Sequence, residues 1–237
     1  MRSKLVVVVA AVALSLVGAV SGCTRSVSGT AQGDPNPPRV AVTEDSFGIR
    51  AGLEDAPVQL EIYTEPQCTH CADLQHEFGD QFAYYIGTGQ LAVTYRPMTF
   101  LDSPDTDGHS ARVANAMFVA ATPGGEGEGE VAATGRQFQH FVEQLWAHQE
   151  PGGTGPDDSK IADFARAADV PGFQVRQLET GVTEKSSSDL ADMESTNFEF
   201  LYEVDPLNTG TPTVFDLNAG EKLDIYDDDW LTKVMES

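Results

Sequence analysis

Val58-Gln59-Leu60-Glu61-Ile62-Tyr63, then Cys68-Thr69-His70-Cys71, then the run Ala72 to Ile86 stand in that order in the chain. The first run is strand-prone and the last is helix-prone, so the two cysteines fall at a helix N-terminus. There the positive end of the backbone dipole and unpaired N–H groups favour a thiolate on Cys68. A lowered pKa makes that sulfur a ready nucleophile and leaving group. Cys71 lies one turn further in, close enough to close a small disulfide ring. His70, between them, can add a proton-dependent positive charge or a hydrogen bond to the same sulfur.

The remaining cysteine belongs to a different signal. Arg2 and Lys4 precede an apolar run, Leu5 to Val20, which is short for a membrane span and ends at Ser21-Gly22-Cys23. This is an export-signal pattern. Val20-Ser21-Gly22-Cys23 resembles the bacterial lipobox, which implies cleavage before Cys23, attachment of a diacylglyceryl group to its sulfur and acylation of its new amino group. Each buried methylene of such an anchor contributes about 0.8 kcal/mol. The alternative is an uncleaved signal anchor with a free Cys23. With Cys23 assigned to lipid, Cys68 and Cys71 have only each other to pair with. A disulfide persists outside the cytoplasm, but so small a loop restricts the unfolded chain little, so chemistry fits the pair better than scaffolding.

Composition narrows the partners. Of 237 residues, 37 are acidic and 14 basic, a formal net charge of −23. Such a surface argues against nucleic acid. It is read mainly as a solvated, soluble surface, with steering of basic substrates as the second reading.

Further along, Thr24 to Thr43 is rich in Ser, Thr, Gly and Pro and reads as a tether, with folding expected from Asp45 or Ser46. Phe47 to Arg50 is expected as a first short strand, and Gln90 to Arg96 as the strand that completes a β-α-β unit, with Leu91, Val93 and Tyr95 on one face. The middle is helical. His109 to Ala121 is a helix, and Gly124 to Glu130 an acidic loop. A second helix carries Phe138, Phe141, Val142 and Leu145, and a third starts at Asp157. A segment from Pro171 stops near Gly181, and a last helix spans about Ser188 to Tyr202. Thr213 to Leu217 and Lys222 to Tyr226 form a hairpin, followed by a short helix from Trp230.

Gly210-Thr211-Pro212-Thr213-Val214 leads into that hairpin. Together with Cys68-Thr69-His70-Cys71 it resembles the thioredoxin-fold family. The resemblance implies a cis bond before Pro212 and a Thr211–Pro212 loop that faces the cysteine pair and presents backbone groups to substrate. The helical stretch between Arg96 and Gly210 is similar to that of the DsbA-like branch of bacterial extracytoplasmic thiol-disulfide oxidoreductases. So are Glu65-Pro66-Gln67-Cys68, Tyr95 to Leu101, and Ser110 to Asn115.

The expected architecture is therefore an α/β thioredoxin fold with a helical insertion at about 105–205, arranged as a signal peptide 1–22, a lipid-anchored tether 23–43 and a domain 44–237. The resemblance implies catalysis of disulfide formation in exported proteins. Cys68 is the nucleophile, Cys71 its partner, His70 the thiolate stabiliser, and Thr211 and Pro212 the substrate-binding residues. It also implies a membrane partner that resets the disulfide, no cofactor beyond the Cys68–Cys71 disulfide, and attachment to the outside of the cell membrane; a monomer is the default expectation.

Two departures stand out. Threonine replaces the usual proline between the cysteines. The strand acid common in the branch is out of register, with Ile62 at its place and Glu61 turned to the other face. Glu61 is given no role, and Glu65 is taken as a turn residue. Three alternatives remain: a reductase, a redox-inactive binding lipoprotein, and a metal module using Cys68, Cys71, His70 or His76. The last lacks a second ligand pair. His109, His140 and His148 are read as surface or packing residues.

Overall fold

The computed structural model describes residues 36–105, 108–124 and 131–237. The signal segment, Cys23, the tether up to 35 and the acidic run 125–130 lie outside the described residues.

The β-α-β unit forms as its hydrophobic patterning requires. Strand β3 (Val58–Thr64) leads through helix α1 (Thr69–Gly87) to β4 (Leu91–Pro97), and the two strands pair in parallel with Leu60 opposite Val93 and Ile62 opposite Tyr95. Around this pair the sheet runs β1-β2-β4-β3-β5-β6. Strands β1 (Val40–Val42) and β2 (Ile49–Ala51) extend it past β4, while β5 (Thr213–Asp216) and β6 (Glu221–Lys222) extend it past β3. Every pairing except β3–β4 is antiparallel.

The folded chain starts earlier than expected. Val40–Val42 falls within the stretch read as tether, yet it is a strand, and Val40 is buried. Val40 N–H donates to the Ala133 carbonyl, and Gly135 N–H to that of Pro38. The partners are about ninety residues away in sequence, so no local pattern reveals them. Strand β2 also starts two residues later than the expected 47–50 and ends one later. At the other end, β6 stops short of Tyr226. Leu223 still donates to Val214, but Asp224 then takes up Tyr226 N–H and the chain turns away.

The insertion consists of α2 (His109–Ala121), α3 (Gly135–Ala147), α4 (Asp158–Ala167), α5 (Gly172–Glu179) and α6 (Ser187–Val204); α7 (Trp230–Met235) ends the chain. Capping sets several of the starts. Thr134 with Gln137 and Ser186 with Asp189 form reciprocal capping boxes, and Asp157 accepts from Lys160 N–H. Among the described residues no helix is long and apolar enough to cross a membrane.

Alternation along β3 divides the core. Leu60 and Ile62 join Phe78, Phe82, Phe138 and Phe141 in the main cluster with α1 and α3. Tyr63 packs with Met98 and Leu201 in a second, smaller cluster. The far face of β4 is covered as well, so Ala92, Thr94 and Arg96 are buried beside Leu91, Val93 and Tyr95. Layers on both faces of β3 and β4 hold the turn 65–68 at their C-terminal ends, where the cysteines emerge.

Candidate redox site

Cys68 is the N-cap of α1, with extended backbone at φ −75° and ψ 116°, and makes no side-chain cap of its own. Its sulfur thus faces the first-turn N–H groups that a helix leaves without partners. Cys68 is half-buried and Cys71 buried, both as free thiols. That asymmetry drives their chemistry apart. The Cys68 pKa falls to about 5. The chief cause is hydrogen bonding from the Cys71 thiol; burial opposes it, and the Thr211 side chain and the backbone N–H groups of Cys71 and His70 add to it. Burial pushes the Cys71 thiol well up, and the neighbouring Cys68 sulfur pushes it further. Cys71 therefore keeps the proton and Cys68 carries the charge.

The C-terminal loop meets this pair. Cys68 Sγ lies 3.2 Å from the Thr211 carbonyl oxygen, and the Thr211–Pro212 bond is cis. A cavity of about 250 Å³ opens beside the sulfur, lined by Phe100, Leu101, Phe198, Leu201 and Thr211. Phe100, Leu101 and Phe198 are each exposed, so an apolar floor reaches solvent next to the nucleophile.

His70 is placed differently from its expected role. Its imidazole is exposed, with Nδ1 3.5 Å from Asp73 on the next turn. What acts on the Cys68 sulfur is the His70 backbone N–H. A residue at this helix position points its side chain outward while its amide points back at the N-cap, so the helix start supplies the donor whatever the side chain.

The residue that sequence reasoning missed is Glu65. It is not a solvent-facing turn residue, for its exposure is 0%. Ser110 Oγ donates to Oε1 in a short hydrogen bond, and Gln67 N–H donates to Oε2 at 2.6 Å. These partners are neutral, while the nearby charges, Asp102 and Cys68, are negative. Burial, first, and those charges raise the Glu65 pKa to about 7. Gln67 extends the network. Its Nε2 donates to Ser110 Oγ and Asp102, and its Oε1 accepts from Gly152 N–H. Gln149 donates to the carbonyls of Pro66 and Cys68. The insertion thereby grips the redox turn from two sides. A signal for this was present: Glu65-Pro66-Gln67-Cys68 and Ser110 to Asn115 each resemble the same branch, and the structure brings those two stretches into contact.

Glu61 stays apart from the cysteines, as its register requires. It accepts from Arg96 Nε at 2.7 Å and from Tyr63 OH at 2.7 Å. His76 lies on α1 away from the pair and lines a separate cavity with Asp80 and Glu143.

A family model described as Thioredoxin matches residues 45–218. Among solved structures, the thiol-disulfide oxidoreductase MdbA of Corynebacterium matruchotii superposes with a TM-score of 0.62 at 19% identity, covering 83% of this chain and 92% of its own. Reduced DsbA of Mycobacterium tuberculosis gives 0.57 at 19% identity, covering 80% and 91%. Oxidised BdbD of Bacillus subtilis gives 0.53 at 15% identity, covering 85% and 97%. At such identities the likeness concerns the fold. Among curated proteins none matches.

Proposed function

The chain belongs to the thioredoxin family, and from that premise we propose that it is an extracytoplasmic thiol-disulfide oxidoreductase that makes disulfides in exported proteins. The observation that carries this reading is the placing of a half-buried Cys68 at the N-cap of α1, 3.2 Å from the Thr211 carbonyl, with Cys71 buried one turn on, a setting that lowers the Cys68 pKa to about 5 and raises that of Cys71. A stabilised Cys68 thiolate favours the reduced enzyme, and an enzyme that prefers to be reduced is an oxidant towards its substrates.

In the forward direction a substrate thiolate attacks Cys68 of the disulfide. The Cys68–Cys71 bond breaks, and Cys71 leaves with the electron pair and takes a proton. We infer that Glu65, buried in the turn before Cys68 with its pKa raised to about 7, is the source of that proton. A second substrate thiolate then attacks the substrate sulfur of the mixed disulfide and releases the Cys68 thiolate. The substrate has lost two electrons and the enzyme has gained them. Thr211 and Pro212 present backbone to the substrate segment next to Cys68. A membrane redox partner takes the two electrons and restores the disulfide.

The chain reaches this compartment, on our reading, through the signal segment 1–22 and a lipid on Cys23. Cys23→Ser protein partitioning into detergent as well as the parent does would remove the anchor from the proposal.

The deciding experiment is the equilibrium potential of the Cys68–Cys71 couple, read by thiol alkylation in glutathione buffers. The expected value lies near about −120 mV, that of a strong disulfide donor. A value near about −270 mV would overturn the oxidising direction and favour a reductase.

A further inference from the structure

Away from the cysteines, helices α1 and α3 bring together Asp80, His140 and Glu143. One ligand atom from each lies within 4.8 Å of the others. His140 and Glu143 sit one turn apart on α3, and Asp80 faces them from α1. Three features make this more than a chance group of charges.

The first is the donor set. One imidazole and two carboxylates on a helical framework suit a borderline divalent ion such as zinc, and two negative charges match its charge. Ligands at about 2.0–2.2 Å from such an ion stand roughly 3.4 Å apart, which small side-chain rotations reach from the present spacing.

The second feature is how Glu143 is held. Gln139 Nε2 donates to Glu143 Oε1 at 3.2 Å and to Gln75 Oε1 at 2.8 Å, while Tyr95 OH donates to Gln139 Oε1 in a short bond. Tyr95, Gln75 and Gln139 are all buried. A polar chain thus runs through an otherwise apolar helix interface and ends on one carboxylate, the arrangement by which proteins orient metal ligands.

Gly79 is the third. A Cβ there would come within 2.6 Å of Glu143 Cγ, so the missing side chain on α1 leaves the notch that lets Glu143 lie against the helix beside Asp80. His140 Nδ1 already approaches Glu143 Oε2 at 3.3 Å, so the imidazole and the carboxylate converge on one point. Arg136 Nε approaches His140 Nε2 at 3.4 Å from an exposed side chain.

We propose that Asp80, His140 and Glu143 bind a divalent transition-metal ion that clamps α1, the helix carrying the redox pair, to α3. On this proposal His140, read from the sequence as a surface or packing residue, is a ligand. The site is independent of the redox activity.

The test is calorimetric titration of zinc chloride into the full chain with Cys23, Cys68 and Cys71 replaced by serine, because thiolates also take zinc. One ion per chain is expected, with a rise in Tm that EDTA reverses, since an ion bound only by the native state stabilises it. His140→Ala and the exposed-site variant Asp80→Asn should each weaken uptake about tenfold or more. Their Tm without metal, compared with that of the parent, reports folding separately. Absence of saturable uptake by the parent, or uptake unchanged in Asp80→Asn, overturns the site.

Discussion

Glu61 and Glu65 are two buried carboxylates four residues apart, one within β3 and one just past its end, and their surroundings differ in sign. Glu61 is held by the Arg96 guanidinium, which also reaches Asp45 at 2.6 Å. Those contacts hold Arg96 above its usual pKa against the burial that lowers it. Glu65 has burial without a cation among its neighbours in the described residues. Its donors are a serine hydroxyl and a backbone amide, and its charged neighbours repel it. A buried charge stays ionised only where an opposite charge and hydrogen bonds replace water; without them the group holds its proton. The same residue type is therefore ion-paired to an arginine at one position and an acid with a raised pKa at the other. Tertiary contacts decide between them, because β4 places Arg96 beside Glu61, while Ser110 of the insertion and Asp102 just before it stand near Glu65.

The largest effect should come from removing the cation. Arg96→Leu leaves Glu61 buried without its partner and is expected to destabilise the protein by about 3–5 kcal/mol in urea denaturation at neutral pH. A loss under about 1 kcal/mol would mean that Glu61 relaxes to water and that the contrast with Glu65 is weaker than drawn.

A smaller effect is expected from Glu65→Gln, and it is legible in pH. The folded pKa of Glu65 is about 7, above an ordinary value of about 4.3. The fold therefore binds this proton more tightly than the unfolded chain does. Its stabilising contribution is complete below about pH 4 and is lost as pH rises through about 7. Glu65→Gln should remove that slope and change stability above neutrality by about 1–3 kcal/mol. The measurement belongs on the oxidised protein, because in the reduced form Cys68 adds a slope of the opposite sign. Its pKa is lowered in the fold, so its contribution is present at alkaline pH and lost as pH falls through about 5. The same variant should lose the inflection near neutral pH in the rate of disulfide opening by dithiothreitol. Persistence of that inflection would take the proton-carrying role away from Glu65.

By itself the sequence determined the elements whose signals are local. The alternation of Val58 to Tyr63, the helical spacing of Phe138, Phe141, Val142 and Leu145, and the cap at Asp157 each depend on neighbours a few residues away, and each element formed near its expected place. The cysteine pair and the Thr211–Pro212 loop were legible as motifs, and the fold brings them within 3.2 Å. Tertiary structure alone decided what depends on distant partners. Strand β1 exists because Ala133 and β2 meet Val40, and no pattern in Arg39 to Val42 carries that information. His70 lies beside Cys68 in sequence, yet the helix start turns its amide, rather than its imidazole, to the sulfur. Glu65 and Ser110 are 45 residues apart, and only their contact turns a glutamate in a turn into a buried acid near pH 7. Helical periods and caps are properties of the local chain, whereas the charge state of a side chain follows from which water it loses and which groups replace it.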